Sequence, residues 1–155
     1  MGVSHDGGIL LITPLGLSPG VIYSALVHVK PARAIVVTSK EGAMKLPMAL
    51  KKAQAITKSA PVDCLVREME DPFTGYQEAS RILDSKVRGW LQGADTIVLN
   101  LSGGTTMLQY IVEYLARVAE RLGVPVRRWI ALDRRLFAEQ GRNPYVLGEW
   151  VELLS

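Results

Sequence analysis

Five short strand-like runs, apolar at most positions and four of them followed by a segment with helical periodicity, leave this chain few folds to choose from. The runs are Gly8–Thr13, Ala34–Thr38, Val62–Arg67, Thr96–Asn100 and Val126–Leu132. A strand that is apolar at consecutive positions, rather than alternate ones, is buried on both faces. Strands of that kind alternating with helices imply a parallel sheet covered on both sides. Right-handed crossovers then make the fold class α/β, a three-layer Rossmann-like sheet, mostly parallel. Val146–Leu153 reads as a last strand, antiparallel at the C-terminal edge.

The helical segments carry their own boundary signals. Ser18-Pro19 reads as an N-cap followed by proline at the first helical position, opening a helix to about Val29. Leu46, Ala49, Leu50, Ala53 and Ile56 recur at helical spacing, with Lys45, Lys51, Lys52 and Lys58 mostly opposite. Asp71-Pro72 reads as the start of a third helix, with Ala79, Ile82, Leu83, Val87, Trp90 and Leu91 on one stripe and Gly93 at its end. The fourth helix turns Met107, Leu108, Ile111, Val112, Leu115, Ala119 and Leu122 inward and pairs Glu113 with Arg117 outside. Gly123 and Pro125 stop it. Residues 133–145 are polar and turn-rich, with room for one helical turn.

With 155 residues, 48% of them hydrophobic and 21% charged, the chain has the size and composition of a single folded domain. We therefore expect one domain over 1–155. One cysteine allows no internal disulfide, which suits a reducing cytosol and a cytoplasmic protein. No apolar run is long enough to span a bilayer, and no membrane partner is expected. The net charge of +3 suits an anionic ligand without demanding one. The lysines near residue 51 read as one solvated helix face. No aromatic residues interleave with them, so they do not form a nucleic-acid groove, and DNA is not an expected partner.

In an open doubly wound sheet, ligands bind beyond the carboxyl ends of the strands, where strand order reverses. The first and fourth strands flank that point, and both run into small, hydroxyl-rich loops. One is Thr13-Pro14-Leu15-Gly16-Leu17-Ser18-Pro19-Gly20; the other is Asn100-Leu101-Ser102-Gly103-Gly104-Thr105-Thr106. Glycines admit close backbone approach, and the unpaired amides of a helix start attract phosphate. The candidate ligand-binding residues are Thr13, Gly16, Leu17, Ser18, Asn100, Ser102, Gly103, Gly104, Thr105 and Thr106, with Thr38 and Lys40 from the end of the second strand. Either loop read alone is equally well explained as a tight turn. Neither is a Walker A motif, which needs Gly-Lys-Ser/Thr, and neither spaces its glycines as a dinucleotide fingerprint does.

These two loops together resemble those of the CARF (CRISPR-associated Rossmann fold) domains of type III CRISPR systems. The late Asn-Leu-Ser-Gly-Gly-Thr-Thr-Met is the more specific of the two. Ala131-Leu132-Asp133-Arg134-Arg135 and Asn143-Pro144-Tyr145 fit the same pattern, so the likeness covers nearly the whole chain. The resemblance implies a homodimer that binds a cyclic oligoadenylate across its two-fold axis, with Met107, Tyr110 and Tyr114 as candidates for the contact or for the core. Many relatives carry lysine where this chain has Thr106. A chain of this length leaves nothing for an effector domain, and standalone CARF proteins resemble the ring nucleases that cleave the cyclic messenger.

The chemistry expected is metal-independent, with no cofactor. RNA carries its own nucleophile in the ribose 2′-hydroxyl, so alignment and charge stabilisation supply the acceleration. The two histidines, His5 and His28, lie before the first strand and on the first helix, so no histidine pair or metal cluster is expected. By resemblance to the ring nucleases, Ser18 is the catalytic serine, with Arg134 or Arg135 to stabilise the phosphorane charge. Against this stand a plain N-cap role for Ser18 and solvated or carboxylate-paired arginines. Arg142 and Asn143 are candidates to close over the ligand. Two other functions stay open: a sensor or sponge that binds without cutting, and a Rossmann-like enzyme acting on an unrelated nucleotide.

Overall fold

The computed structural model describes residues 8–153; His5 lies outside them. Its centre is a six-stranded sheet in the order β3-β2-β1-β4-β5-β6. The strands are β1 (Ile9–Leu15), β2 (Arg33–Thr38), β3 (Asp63–Glu68), β4 (Thr96–Asn100), β5 (Val126–Leu132) and β6 (Glu149–Glu152). The first five are parallel, and β6 runs antiparallel to β5. Ile12 of β1 stands between Ile35 of β2 and Leu99 of β4 in register. The reversal of strand order falls between β1 and β4, where it was expected.

Alternate residues of each buried strand feed two separate cores. Leu10, Ile12, Ile35, Val37, Ile97 and Leu99 face α5 (Ser85–Gly93) and α6 (Thr106–Arg121). Leu11, Leu15, Ala34, Val36 and Val98 face α1 (Gly20–Val29) and α3 (Leu46–Thr57). That is the three-layer arrangement, and it explains why the inner stretches of β1, β2 and β4 are continuously apolar. Ile12, Ile35 and Leu99 are wholly buried; each such side chain stabilises the fold by about 2 kcal/mol.

The helices depart from the sequence reading in four places. Asp71-Pro72 opens no helix. Asp71 instead accepts hydrogen bonds from the amides of Phe73 and Thr74, both at 3.0 Å, and so holds a turn. Helix resumes as a short 3₁₀ turn, Tyr76–Glu78, followed by α4 (Ala79–Ile82). The chain breaks again at Asp84, whose side chain accepts from Val87 N at 2.9 Å and caps α5. An aspartate within an apolar stripe is thus a cap that starts a new helix. Second, Ser39 caps an additional four-residue helix, α2 (Lys40–Ala43). Third, Ile56, in the last turn of α3, is 61% exposed rather than packed on the core. Fourth, Pro19 rather than Ser18 occupies the N-cap of α1, with no side-chain cap. The Ser18 hydroxyl is therefore not spent on capping.

The last strand is shorter than expected: β6 covers four residues of the Val146–Leu153 run. Before it, α7 (Phe137–Arg142) supplies the helical turn within the polar stretch. Glu113 pairs with Arg117 at 3.5 Å and also takes a shorter bond, 2.6 Å, from Arg128. Met107 is a core residue, Tyr114 packs against the same core, and half-exposed Tyr110 stands edge-on to Tyr76 at 5.1 Å. Among the described residues, no helix is long and apolar enough to cross a membrane.

Candidate functional site

The carboxyl ends of β1 and β4 are adjacent, so their loops are adjacent too. A Cβ built on Gly16 would lie 2.8 Å from Gly104 Cα and 3.0 Å from Gly104 N. A Cβ on Gly103 would lie 2.5 Å from Val21 Cγ2, in the first turn of α1. Only glycine fits at either point of approach. Gly103 and Gly104 also hold φ values of +84° and +72°, which L side chains rarely adopt. The glycines are there because two backbones meet, and the loops touch at this point without a crevice between them.

Each loop runs into a helix start. Thr105 caps α6 by accepting from Leu108 N at 3.2 Å, and it donates to the Pro72 carbonyl, which ties the late loop to the turn after β3. The amides of Gly103, Gly104, Thr105, Thr106 and Met107 find no acceptor among the described residues, nor do those of Leu17, Ser18, Gly20, Val21 and Ile22. Two sets of unpaired N–H groups therefore share one edge of the sheet. That is an anion-binding arrangement.

Several residues expected to meet ligand build this platform from beneath. Thr13 and Asn100 are wholly buried. Asn100 Nδ2 donates to Thr13 Oγ1 at 3.0 Å, and Asn100 Oδ1 accepts from Ser102 N at 3.0 Å. Thr13 Oγ1 donates to the Pro14 carbonyl at 2.9 Å. Asn100 thus joins the two strands and starts the late loop. Thr38 is equally buried and donates to the Leu15 carbonyl at 2.6 Å. Gly42 of α2 covers it so closely that a Cβ there would lie 2.2 Å from Thr38 Oγ1. Ser102 Oγ accepts from Ala131 N at 2.7 Å, which fastens the late loop to β5. The side chains of Thr13, Thr38 and Asn100 are closed off from any ligand. Leu17, Ser18, Lys40, Gly104 and Thr106 are exposed at the same edge.

Neither arginine stands uncommitted. Arg134 reaches across to Glu149 of β6 in an exposed ion pair. Arg135 is held more firmly. Its guanidinium donates to both Asp133 oxygens and to the carbonyls of Glu139 and Asn143. Those bonds make it the fastening of the segment that carries α7, not a cation held ready for a developing charge. The Arg135 hydrogen bond in turn holds the Asp133 carboxyl below the usual carboxylate range. His28 Nε2 meets the Gly148 carbonyl at 3.0 Å, and its ring stacks on Trp150, away from the loops.

Space opens beside the early loop, toward β5 and α7. A small cavity of about 20 Å³ is lined by Ser18, Gly20, Val21, Ala131, Asp133 and Gln140, among others. A larger one, about 340 Å³, is lined by Leu17, Ser18, Lys45, Phe137, Gln140 and Tyr145, with Pro19, Gly141 and Pro144. Pro144 folds against the helix start so tightly that a Cβ on Gly20 would lie 2.7 Å from its carbonyl oxygen. Sequence reasoning missed Gln140 and Phe137, which the folded tail brings to the Ser18 cavity, and Lys45 at the start of α3, which lines it too. The one signal for them was Gly20, a glycine that no local turn requires. Among the described residues, no three His, Cys, Asp or Glu side chains are grouped to hold a metal ion.

No protein-family model matches the sequence, and no curated protein does. Solved structures do match. Enterococcus italicus Csm6, bound to cyclic hexa-2′-fluoro-hexa-dAMP, aligns with 97% of this chain and 43% of its own length, at a TM-score of 0.66 and 12% identity. The chain has the CARF fold. Can2 from Sulfobacillus thermosulfidooxidans, in complex with cyclic tetra-adenylate, aligns with 80% of this chain and 32% of its own, at a TM-score of 0.57 and 14% identity. A type III CRISPR defence DNA nuclease activated by cyclic oligoadenylate gives 85% and 19%, a TM-score of 0.54 and 21% identity. The chain spans less than half the length of each of these CARF-fold proteins. At such identities the likeness carries the fold alone.

Proposed function

We propose that the protein binds a cyclic oligoadenylate, cyclic tetra-adenylate before the hexamer, across the two-fold axis of a cytoplasmic homodimer. It cleaves the ring without a metal and so ends a type III CRISPR signal. One observation carries this reading: the Gly16–Gly104 approach brings two sets of unpaired helix-start amides to one sheet edge. A phosphodiester satisfies such groups, and a ring of them suits a shallow platform better than a deep pocket. Lys40 and Thr106 stand at the rim. A two-fold ligand matches an isologous protein pair.

In the cleavage step the 2′-oxygen attacks the adjacent phosphorus and the bond to the 5′-oxygen breaks. The products are a cyclic 2′,3′-phosphate and a 5′-hydroxyl, and the 2′ proton ends on the leaving 5′-oxygen. Loop amides stabilise the charge that grows on the non-bridging oxygens. Ser18, exposed and without a cap to make, orients the 2′-hydroxyl. Arg134 is the nearer arginine candidate for charge stabilisation, since an exposed ion pair exchanges partners readily and the Arg135 donors are committed.

That commitment, together with Thr106 in place of a lysine, supports a second reading, a binder that does not cut. One assay separates the two. The purified protein is incubated with radiolabelled cyclic tetra- and hexa-adenylate in chelator, and binding and linear products are followed together. Binding with conversion, lost in Ser18→Ala, is the expected result. Binding without conversion selects the sensor or sponge. Absence of binding ends both readings and leaves an unrelated nucleotide as the ligand.

A further inference from the structure

Gln140 is half-buried at the junction of the two cavities beside Ser18 and lines both of them. Its amide is not free to rotate. Nε2 donates to the Asp133 carbonyl at 3.2 Å and to the Arg135 carbonyl at 2.9 Å, which uses both amide hydrogens. The reverse orientation would turn Oε1 toward two carbonyl oxygens, which repel it. Oε1 therefore has one role left, that of acceptor, and it finds no donor among the described residues. Around it the larger cavity is bounded by Leu17, Phe137, Pro144 and Tyr145, with Lys45 at the rim. Phe137 is 90% exposed, and no core packing accounts for it. Apolar and aromatic walls around one oriented acceptor make a site for a planar heterocycle that carries an amino group.

We propose that Gln140 reads the base of the bound ring: its Oε1 accepts from the N6 amino group of adenine while Phe137 covers the base face. The proposal rests on the cyclic-oligoadenylate reading and deepens it by naming a specificity-determining residue. Adenine offers a donor at C6, where hypoxanthine and guanine offer an acceptor. An acceptor that cannot flip rejects both, because two facing oxygens leave buried lone pairs without a hydrogen.

The test measures dissociation constants of cyclic tetra-adenylate and cyclic tetra-inosinate, in chelator, for wild type, Gln140→Leu and Phe137→Ala. Wild type is expected to prefer the adenylate ring at least tenfold. Gln140→Leu is expected to bring the two constants together. Phe137→Ala is expected to weaken both rings by a similar factor and to keep the preference. Gln140→Leu also loosens the segment that Nε2 anchors, but loosening weakens both rings alike and leaves their ratio unchanged. A ratio that survives in Gln140→Leu, or a wild type that does not discriminate, overturns the assignment while the ring-binding reading stands. A wild type that binds neither ring overturns both.

Discussion

The approach of Gly16 to Gly104 is the contact to disturb first, because both the fold of the sheet edge and the proposed function depend on it. In Gly16→Ala the new methyl carbon starts 2.8 Å from Gly104 Cα. Carbon atoms in contact settle at roughly 3.5–4.0 Å, so one backbone must retreat by about 1 Å. Gly104 cannot yield easily. Leu108 Cδ1 and Pro14 Cβ crowd it as well, 3.0 and 3.2 Å from where its own Cβ would be. Forcing an extra methyl into a packed contact costs about 1–3 kcal/mol. Alanine returns about 0.4–1 kcal/mol by restricting the unfolded chain. The net loss is about 1.5 kcal/mol, or about 3–6 °C in Tm for a chain of this size. Ligand affinity should fall further. A shift of about 1 Å takes at least one amide out of hydrogen-bond range of a phosphate oxygen, and one charge-assisted bond is worth about 1.5–3 kcal/mol, roughly tenfold to a hundredfold in Kd. Gly89→Ala is the control: it lies in α5 with nothing within 4 Å of its Cβ, and helix propensity alone should raise stability by about 0.5–1 kcal/mol with Kd unchanged. Urea titration and calorimetric binding to cyclic tetra-adenylate read both quantities. A Gly16→Ala protein that melts at or above wild type refutes the packing argument. One that is destabilised yet binds normally refutes the functional one.

Asn100→Ala should lower stability by about 2–4 kcal/mol in urea titration, because it removes a buried donor to Thr13 and the acceptor for Ser102 N; a loss under about 1 kcal/mol would show that water replaces both bonds. Burial, with the Asp63 carboxylate adding to it, pushes the Cys64 thiol up to about 11. A thiol raised in the folded state contributes stability that is complete below its unfolded pKa and is lost as pH climbs through the folded one. Urea midpoints should therefore fall between roughly pH 9 and 11, and native Cys64 should react with iodoacetamide at pH 8 far more slowly than in urea. The Asp84 carboxyl is held low by the Val87 amide and the Asp133 carboxyl by Arg135; depressed acids lend stability above their unfolded pKa and lose it as pH falls through the folded value. Asp84→Asn should accordingly flatten the acid limb of the pH–stability curve, and an unchanged limb would mean that Asp84 has no net role in it. Arg135→Ala should leave the sheet intact but raise amide hydrogen exchange across residues 133–143, and unaltered exchange there would remove Arg135 as the fastening of that segment.

Most of the scaffold was legible in one dimension. The inner stretches of the strand runs, Ala34–Val37 and Ile97–Leu99, are continuously apolar because two different cores claim alternate residues, and that demand is written locally. Helix starts were harder. Asp71 and Asp84 are both aspartates near an apolar stripe, yet one closes a turn and the other caps a helix. Which one depends on the hydrogen-bond partners that the fold brings near, not on the residue type.

The two Gly-rich loops could be placed at the switch point from strand order alone, because topology follows from the alternation of elements. Which groups their side chains bond to is decided only by the tertiary structure. Thr13, Thr38 and Asn100 read as ligand contacts on residue type, and three dimensions turn Asn100 toward Thr13 and Thr38 toward the Leu15 carbonyl. For Arg135 the sequence left a free cation and a carboxylate partner both open, and the fold commits it to Asp133 and the Asn143 carbonyl. Gln140 and Phe137 lie more than 115 residues from Ser18 in sequence, and only the fold of the tail brings them to the same cavities. Local sequence carries periodicity and backbone permission; the partner that satisfies a polar side chain is a long-range fact, set when the chain closes on itself.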